Sequence, residues 1–163
     1  MTNSDLTTDV DVLVVGAGQA GLAAGMALRQ AGLGFMIVDA AGQPGGSWPR
    51  YYDSLTLFSP ARFSTLPGRR LPGRLSRHPS RDDMTRYLRD YATHFQLPVR
   101  TGARVLDTSW DGEAFEVTLA GGDQLTARRD RGLRRVRPTC NPRASRRHQL
   151  HRSAAPLRRL SER

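Results

Sequence analysis

An apolar strand, a glycine-rich turn and a helix follow one another near the start of this chain. The strand is predicted at Val10–Val15, and it runs into the hexapeptide Gly16-Ala17-Gly18-Gln19-Ala20-Gly21. Glycine at the first, third and sixth positions allows a tight turn, close approach of the backbone to a ligand, and close packing of helix on strand. The helix predicted at about Gln19–Gln30 directs its first amides at the turn, where they attract an anion. This pattern favours a βαβ unit that binds the pyrophosphate of a dinucleotide.

The next strand supports the same interpretation. Phe35–Val38 is apolar at every position, as is usual for a parallel strand that is covered on both faces. Gly32 is predicted to end the helix before it. Asp39 follows the strand, where a carboxylate accepts hydrogen bonds from a ribose in dinucleotide-binding folds. Glycine-rich turns also occur in βαβ units that bind nothing, so a plain structural turn is the alternative.

The rest of the ordered part divides into a loop, a helix and a set of strands. Residues 40–80 are rich in Gly, Pro, Ser and Arg and show no periodicity, so we predict a functional loop. A helix is predicted after the N-cap Ser80, with Asp83 three positions on and apolar residues at spacings of three and four. Short strands are predicted next, the last of them forming a small β-meander: Leu97–Arg100, Arg104–Leu106, Phe115–Leu119 and Gln124–Ala127.

Five segments of the chain together match one family pattern: VLVVGAGQAGLAAGMALRQAG, FMIVDA, PGGSWPRYYDSLTLFSP, RDDMTRYLRDYATHFQLPV and TGARVLDTS. They resemble the FAD-binding half of flavin-dependent monooxygenases, a family that includes the flavin-containing monooxygenases and related NAD(P)/FAD-dependent oxidoreductases. The GGSW motif points to a flavin more than to NAD. The resemblance implies an α/β fold over residues 9–127: a Rossmann-like FAD-binding domain with a parallel sheet, helices and a β-meander, truncated relative to the family.

The resemblance also implies roles for individual residues. Gly46, Ser47 and Trp48 would lie beside the flavin phosphates and isoalloxazine, Asp39 would bind the adenosine ribose, and Val105 would place a backbone group against adenine. With the turn, the candidate cofactor-binding residues are Gly16, Gly18, Gln19, Ala20, Gly21, Asp39, Gly46, Ser47, Trp48 and Val105. A loop aromatic anchored on the core is the alternative for Trp48, and Tyr51, Tyr52 and Phe58 suit packing as well as flavin contact. No catalytic residue and no metal site are predicted.

The chemistry implied by the family is oxygenation of a small-molecule substrate, either a soft nucleophile or an organic carbonyl. NADPH reduces the FAD, and the reduced flavin activates oxygen. Members carry a second G-x-G-x-x-G for NADPH in a domain inserted after the meander. Residues 129–163 contain no such motif. We therefore expect the chain to be inactive by itself.

The net charge of +10 comes from the last part of the chain. Residues 128–163 hold 13 Arg and two acidic residues, whereas residues 1–127 hold 12 Arg and 13 acidic residues. We hypothesise that this tail is a shifted reading frame of the family's continuation, because dropping the first base of the Arg129 codon permits the family-like stretches LPG, SFTG and LHSADY. We predict that the tail is disordered. The alternative function is a basic nucleic-acid- or anion-binding protein with a degenerate flavin fold, which contacts nucleic acid nonspecifically through the tail.

Cysteine usage and hydropathy indicate the compartment. Cys140 is the single cysteine, so the chain has no internal disulfide framework. No apolar run is long enough to span a bilayer. Met1–Thr8 is polar and acidic, without the features of a signal peptide. We therefore predict a cytoplasmic protein with no membrane partner.

Overall fold

The structure is a computed structural model that describes residues 8–128, and side chains are described for residues 10–127. The helices and strands follow the order expected of a βαβ unit, a long loop, a helix and a meander. Their bounds are β1 Thr8–Val10, β2 Val12–Val15, α1 Gln19–Gln30, β3 Phe35–Val38, α2 Arg81–His94, β4 Val99–Arg100, β5 Val105–Trp110, β6 Ala114–Leu119 and β7 Gln124–Arg128, with short 3₁₀ helices at Trp48–Arg50 and Ala61–Phe63.

A three-stranded parallel sheet forms the centre of the fold, with strand order β2-β3-β4. Val12 pairs with Phe35, and Val38 pairs with Arg100. The predicted α/β class with a parallel sheet is therefore confirmed. β4 is shorter than the predicted Leu97–Arg100, because the Leu97 amide donates back to the Ala92 carbonyl (3.0 Å), in the turn that follows α2.

The predicted meander is present and gains a strand. The second sheet has the order β1-β7-β6-β5, in which β5, β6 and β7 are antiparallel and β1 joins β7 in parallel. The prediction of one strand over Val10–Val15 was therefore wrong. Asp11 interrupts it, because its amide and that of Val12 both donate to the Gly34 carbonyl (3.0 and 3.1 Å), while its carboxylate accepts from the Gly34 amide (2.7 Å).

Both predicted helices form, and their ends differ. α1 covers the predicted residues, and Gly32 follows its last turn, with its amide donating to the Arg29 carbonyl (3.1 Å). α2 begins after Ser80 in a complete capping box: the Ser80 hydroxyl accepts from the Asp83 amide (3.2 Å), and the Asp83 carboxylate accepts from the Ser80 amide (3.0 Å). These bonds satisfy amides that the start of a helix leaves without partners.

The parallel sheet lies between two apolar layers. On one face Ile37 packs with Leu22 of α1 and with Leu88 and Tyr91 of α2. On the other face Val38 packs with residues of the meander, including Val117, Leu119 and Leu125. Covering both faces explains why β3 is apolar at every position.

The arginine-rich tail predicted at residues 128–163 lies outside the described residues except for Arg128, which ends β7. Its frameshift origin and its disorder therefore stay predictions. Within residues 8–128, no helix is both long enough and apolar enough to cross a membrane.

Candidate dinucleotide-binding site

The first glycine turn has the geometry that its motif predicts. Gly16 adopts φ +102°, a conformation that side chains disfavour, and its amide donates to the Val38 carbonyl (2.7 Å). A Cβ on Gly21 would overlap the Gly16 carbonyl oxygen, so α1 crosses the end of β2 at a distance that only glycine permits. The turn is thereby held close to the carboxyl ends of β2 and β3.

A second glycine pair, Gly45 and Gly46, begins 30 residues after Val15, the last residue of β2, and packs directly against the first glycine turn. Gly46 has φ +60°, and a Cβ there would lie 2.8 Å from the Gly18 Cα. The Gly45 amide donates to the Ala17 carbonyl (3.0 Å). We call Gly16, Gly18, Gly45, Gly46 and the first turn of α1 the glycine cradle. The two motifs that the sequence singled out thus form one site, by backbone-to-backbone contact.

The N-terminus of α1 opens into this cradle without a capping group. Its N-cap is Gly18, no side chain accepts from its first amides, and its first turn carries no acidic residue. Gln19 and Ala20, in that turn, are exposed. A helix end of this kind offers unpaired amides and the positive end of the helix dipole, which together favour a bound anion.

Asp39 organises the turn from the end of β3. It is 9% exposed, and its carboxylate accepts from the Ala17 amide (2.5 Å) and from the Ala41 amide (2.8 Å). Because an ionised carboxylate offers about four lone-pair positions, these two bonds leave capacity for further donors such as ribose hydroxyls. Its place beside the cradle agrees with the predicted ribose contact, which itself stays a prediction.

Trp48 reaches the cradle from the loop. It begins a 3₁₀ helix, and its Nε1 donates to the Gln19 Oε1 (3.2 Å) on the first turn of α1. Its ring packs against the core between the helices and the parallel sheet, so the anchored-aromatic alternative describes part of its environment. Ser47 precedes it, exposed, with its hydroxyl accepting from Arg50 Nη2 (3.3 Å).

Val105 lies near the end of β3 but belongs to the other sheet. It packs with Val38 in the core between the two sheets, and the nearby Ala103 amide donates to the Asp39 carbonyl (2.8 Å). The structure thus brings the start of β5 beside the predicted ribose-binding residue. All ten candidate residues lie at or next to the carboxyl ends of the parallel strands, where ligands bind in open α/β sheets.

Among the other candidates, the aromatic residues of the loop are not buried. Phe58 is 96% exposed, so packing does not explain it, and Tyr51 and Tyr52 are also exposed. His78 is exposed too, with Nδ1 at 2.9 Å from the Leu57 carbonyl oxygen. In the described part of the chain, no three His, Cys, Asp or Glu residues are placed to share a metal ion.

Comparison with known proteins identifies the fold's relatives. The profile of the pyridine nucleotide-disulphide oxidoreductases matches residues 13–129, well over half of the chain. The chain belongs to this family. Its single cysteine, Cys140, means that the chain itself holds no cysteine pair.

The similar proteins include a flavin-containing monooxygenase, an oxidoreductase and an indole-3-pyruvate monooxygenase. A flavin-containing monooxygenase from Stenotrophomonas maltophilia superposes with a TM-score of 0.71 at 42% identity, covering 75% of this chain and 37% of that one. A CzcO-like uncharacterized oxidoreductase of Geobacillus kaustophilus is 43% identical over 116 residues, 71% of this chain and 33% of its own length. The indole-3-pyruvate monooxygenase YUCCA4 of Oryza sativa subsp. japonica is 34% identical over 131 residues, 74% of this chain and 30% of its own length.

These comparisons confirm the resemblance to the N-terminal part of flavin-dependent monooxygenases and oxidoreductases. The chain spans about a third of the length of the relatives that it matches. The residues present suit a dinucleotide, because Gly18 and Gly46 form a backbone surface without side chains, on which a Cβ at Gly46 would lie only 2.8 Å from the Gly18 Cα.

Sequence reasoning assigned no role in the site to two residues that shape it, Gly45 of the GGSW motif and Arg81. Gly45 is buried beside Gly46, and its amide ties the loop to the turn. Arg81, the first residue of α2, donates from Nη1 to the Tyr51 carbonyl (2.7 Å) and so holds the segment after Trp48. The doubled glycine was the only local signal for Gly45, and no local pattern connects Arg81 with residue 51.

Proposed function

We propose that this chain binds FAD as the cofactor-binding segment of an NAD(P)H- and flavin-dependent monooxygenase. The observation that carries the proposal is the contact of Gly18 with Gly46 at the uncapped start of α1. A backbone surface without Cβ atoms, at a helix end that favours anions, suits a pyrophosphate. The similarity to flavin-containing monooxygenases gives the chemical class of the dinucleotide.

Different residues of the candidate site would bind different parts of FAD. The amides of Gly18 and of the first turn of α1 would face the pyrophosphate, and Asp39 would accept from the adenosine ribose. Val105 would lie toward the adenine, and Ser47 and Trp48 toward the flavin. When bound, FAD supplies the transfer of electrons from a nicotinamide cofactor to oxygen. This chain's own contribution is to bind and orient the dinucleotide.

We further propose that the chain by itself retains FAD weakly and does not oxidise NADPH. It spans about a third of its relatives' length, and no second glycine motif follows β7. In the whole protein the substrate would be a small molecule, either a soft nucleophile or an organic carbonyl. Oxidation of NADPH by the purified chain would contradict this part of the proposal.

Titration of the purified chain with FAD, followed by quenching of flavin fluorescence, tests the binding. We expect saturable binding by the wild type, and a Kd at least about tenfold higher for Gly46→Ala, because the new Cβ would lie 2.8 Å from the Gly18 Cα. Gly42→Ala is the matched control, since a Cβ at Gly42 meets nothing within 4 Å. Circular dichroism establishes that each variant is folded. An equal Kd for all three proteins, or no binding by the folded wild type, would contradict the proposal.

The second candidate is a basic binding protein, which rests on the charge of residues 128–163. Electrostatic binding of nucleic acid through this tail would fall steeply with salt concentration. DNA binding at low salt, with an unchanged affinity in Gly46→Ala and no affinity for FAD, would favour this candidate over the first.

A further inference from the structure

Arg81 fastens a loop segment to the start of α2. Its Nη1 donates to the Tyr51 carbonyl (2.7 Å) and to the Asp53 Oδ1 (2.5 Å), and its amide donates to the Leu55 carbonyl (2.9 Å). Its Nε donates to the neighbouring Asp82 (2.9 Å). The Arg81 side chain is only 17% exposed, whereas that of Asp53 is almost fully exposed. The arginine is therefore the enclosed member of this cluster, and the loop closes around it.

The fastened segment leads directly to the glycine cradle. The Tyr51 ring stands edge-on to the Trp48 ring, with centroids 5.6 Å apart, and the Tyr51 amide donates to the Trp48 carbonyl (3.2 Å). Trp48 in turn donates from Nε1 to Gln19 on the first turn of α1. A continuous series of contacts thus joins Arg81, on one helix, to the anion-binding end of the other.

The backbone of Trp48 is tied to the cradle, because its amide donates to the Gly45 carbonyl (3.3 Å), and its ring packs against the core. Its 3₁₀ helix lies between the glycines of the cradle and the segment that Arg81 holds, and that helix has no side-chain cap. Without the Arg81 guanidinium, residues 51–55 would lose its bonds to the Tyr51 carbonyl and to Asp53, while the backbone bond from the amide of residue 81 to Leu55 would remain. The Tyr51 ring would then no longer be held beside the Trp48 ring. The indole would keep its core contacts and its bond to Gln19, but its orientation would be less restricted.

We propose that Arg81 is a positioning residue for FAD: it holds the Trp48 indole in place at the cradle without contacting the cofactor. This inference rests on the proposed FAD binding. A planar guanidinium that reaches a carbonyl and two carboxylates in different directions has a geometry that a lysine ammonium does not reproduce.

The first test needs no ligand. The chain has two tryptophans, so Trp110→Phe leaves Trp48 as the single tryptophan, whose emission is followed by exciting at a wavelength that tyrosine does not absorb. In that background we expect Arg81→Gln to shift the Trp48 emission to longer wavelength and to increase its quenching by acrylamide. Arg86→Gln is the matched control, because Arg86 is an exposed arginine on the same helix. Equal spectra for the two variants would overturn the inference.

The second test measures the FAD Kd. We expect Arg81→Gln to raise it about tenfold, Arg81→Lys to raise it nearly as much, and Arg86→Gln to leave it unchanged. In a Trp48→Phe background, which lacks the indole N–H, Arg81→Gln should add much less, because both substitutions then act on the same contact. Denaturant unfolding of each variant shows whether a lost affinity reflects lost folding.

The outcomes separate this inference from the proposed function. If the folded wild type does not bind FAD, the proposed function fails, while the emission of Trp48 still tests whether Arg81 positions the indole. If the wild type binds FAD and Arg81→Gln binds equally well, the positioning role fails and the function stands. Full rescue by Arg81→Lys, or additive effects with Trp48→Phe, would show that Arg81 acts through its charge or by another route, and would overturn the inference.

Discussion

The two helices of this protein begin in opposite ways. α2 starts with Ser80 and Asp83, whose side chains accept from its first amides, and Arg77 adds an ion pair to Asp83 (2.5 Å). α1 starts with Gly18, has no side-chain cap and has no acid in its first turn. The start of α2 is closed by its own side chains. The other is left open, and we attribute the difference to the anion that α1 is proposed to bind.

The same contrast extends to how each helix start is held. At α2 the contacts are made by side chains, which can be exchanged at modest cost. At α1 they are made by the backbone of Gly16, Gly21 and Gly46, with Asp39 accepting from the Ala17 amide behind them. Substitutions that remove these start contacts should therefore cost more stability at α1 than at α2, and loss of the Ser80 cap should leave ligand binding unchanged.

The largest effect is expected for Gly21→Ala. The added Cβ would overlap the Gly16 carbonyl oxygen, which is backbone and cannot turn aside. We expect a loss of unfolding free energy of about 3 kcal/mol or more, measured by urea denaturation. Gly25→Ala is the comparison, because its Cβ would meet the flexible end of Ile37 at 2.7 Å. A smaller loss for Gly21→Ala than for Gly25→Ala would contradict this reading of α1.

A smaller effect is expected for Asp39→Asn. Asparagine keeps the size of the side chain. In the wild type the two carboxylate oxygens accept from the Ala17 and Ala41 amides, whereas in the variant the side-chain NH₂ group would replace one of these oxygens and leave one backbone amide without its acceptor. We expect a loss of about 1–3 kcal/mol of unfolding free energy, with a higher Kd for FAD. Thermal melting and FAD titration check the two parts. Unchanged stability would show that the carboxylate does not hold the turn.

The contrast between the helix starts can be sharpened by Ser80→Ala and Gly18→Ser. Ser80→Ala removes a cap and should lower the unfolding free energy by about 1 kcal/mol, with no change in FAD affinity. Gly18→Ser adds a cap and should change stability by only a few tenths of a kcal/mol, roughly the difference between serine and glycine at this position. Because the new hydroxyl would occupy the anion site, the Kd of the Gly18→Ser variant for FAD should rise. Equal Kd values for both variants would mean that α1 is not an anion site.

The smallest effect should appear as a pH dependence at α2. Burial alone would raise the pKa of Asp83, but hydrogen bonds from Arg77 and from the Ser80 amide outweigh it, and the net shift lowers this pKa. A carboxylate with a lowered folded-state pKa stabilises the fold above its unfolded pKa of about 3.9, and this contribution is lost as the pH falls. The difference in unfolding free energy between wild type and Asp83→Asn should therefore be largest near neutral pH and shrink below about pH 4. A constant difference for Asp83→Asn across this pH range would refute the assignment.

Local patterns predicted most of the fold, because the start of a helix and the apolar faces of helices and strands depend mainly on residues that are close in sequence. α1 and α2 form where the apolar spacing and the Ser80 cap place them, and β3 forms where every residue is apolar. The division of Val10–Val15 was not predictable. It depends on Gly34, which lies 23 residues after Asp11 and binds its backbone and carboxylate. β1 likewise exists only because β7 lies beside it.

The candidate site shows the same limit. The sequence by itself determined which residues could line a dinucleotide cradle, since glycine spacing, an apolar strand and a terminal carboxylate are properties of the local chain. Only the tertiary structure decided that Gly46 would press against Gly18, that Trp48 would bond to Gln19, and that Arg81 would hold the loop from a second helix. These contacts join segments that are far apart in sequence, and their geometry depends on how the whole core packs rather than on any short pattern.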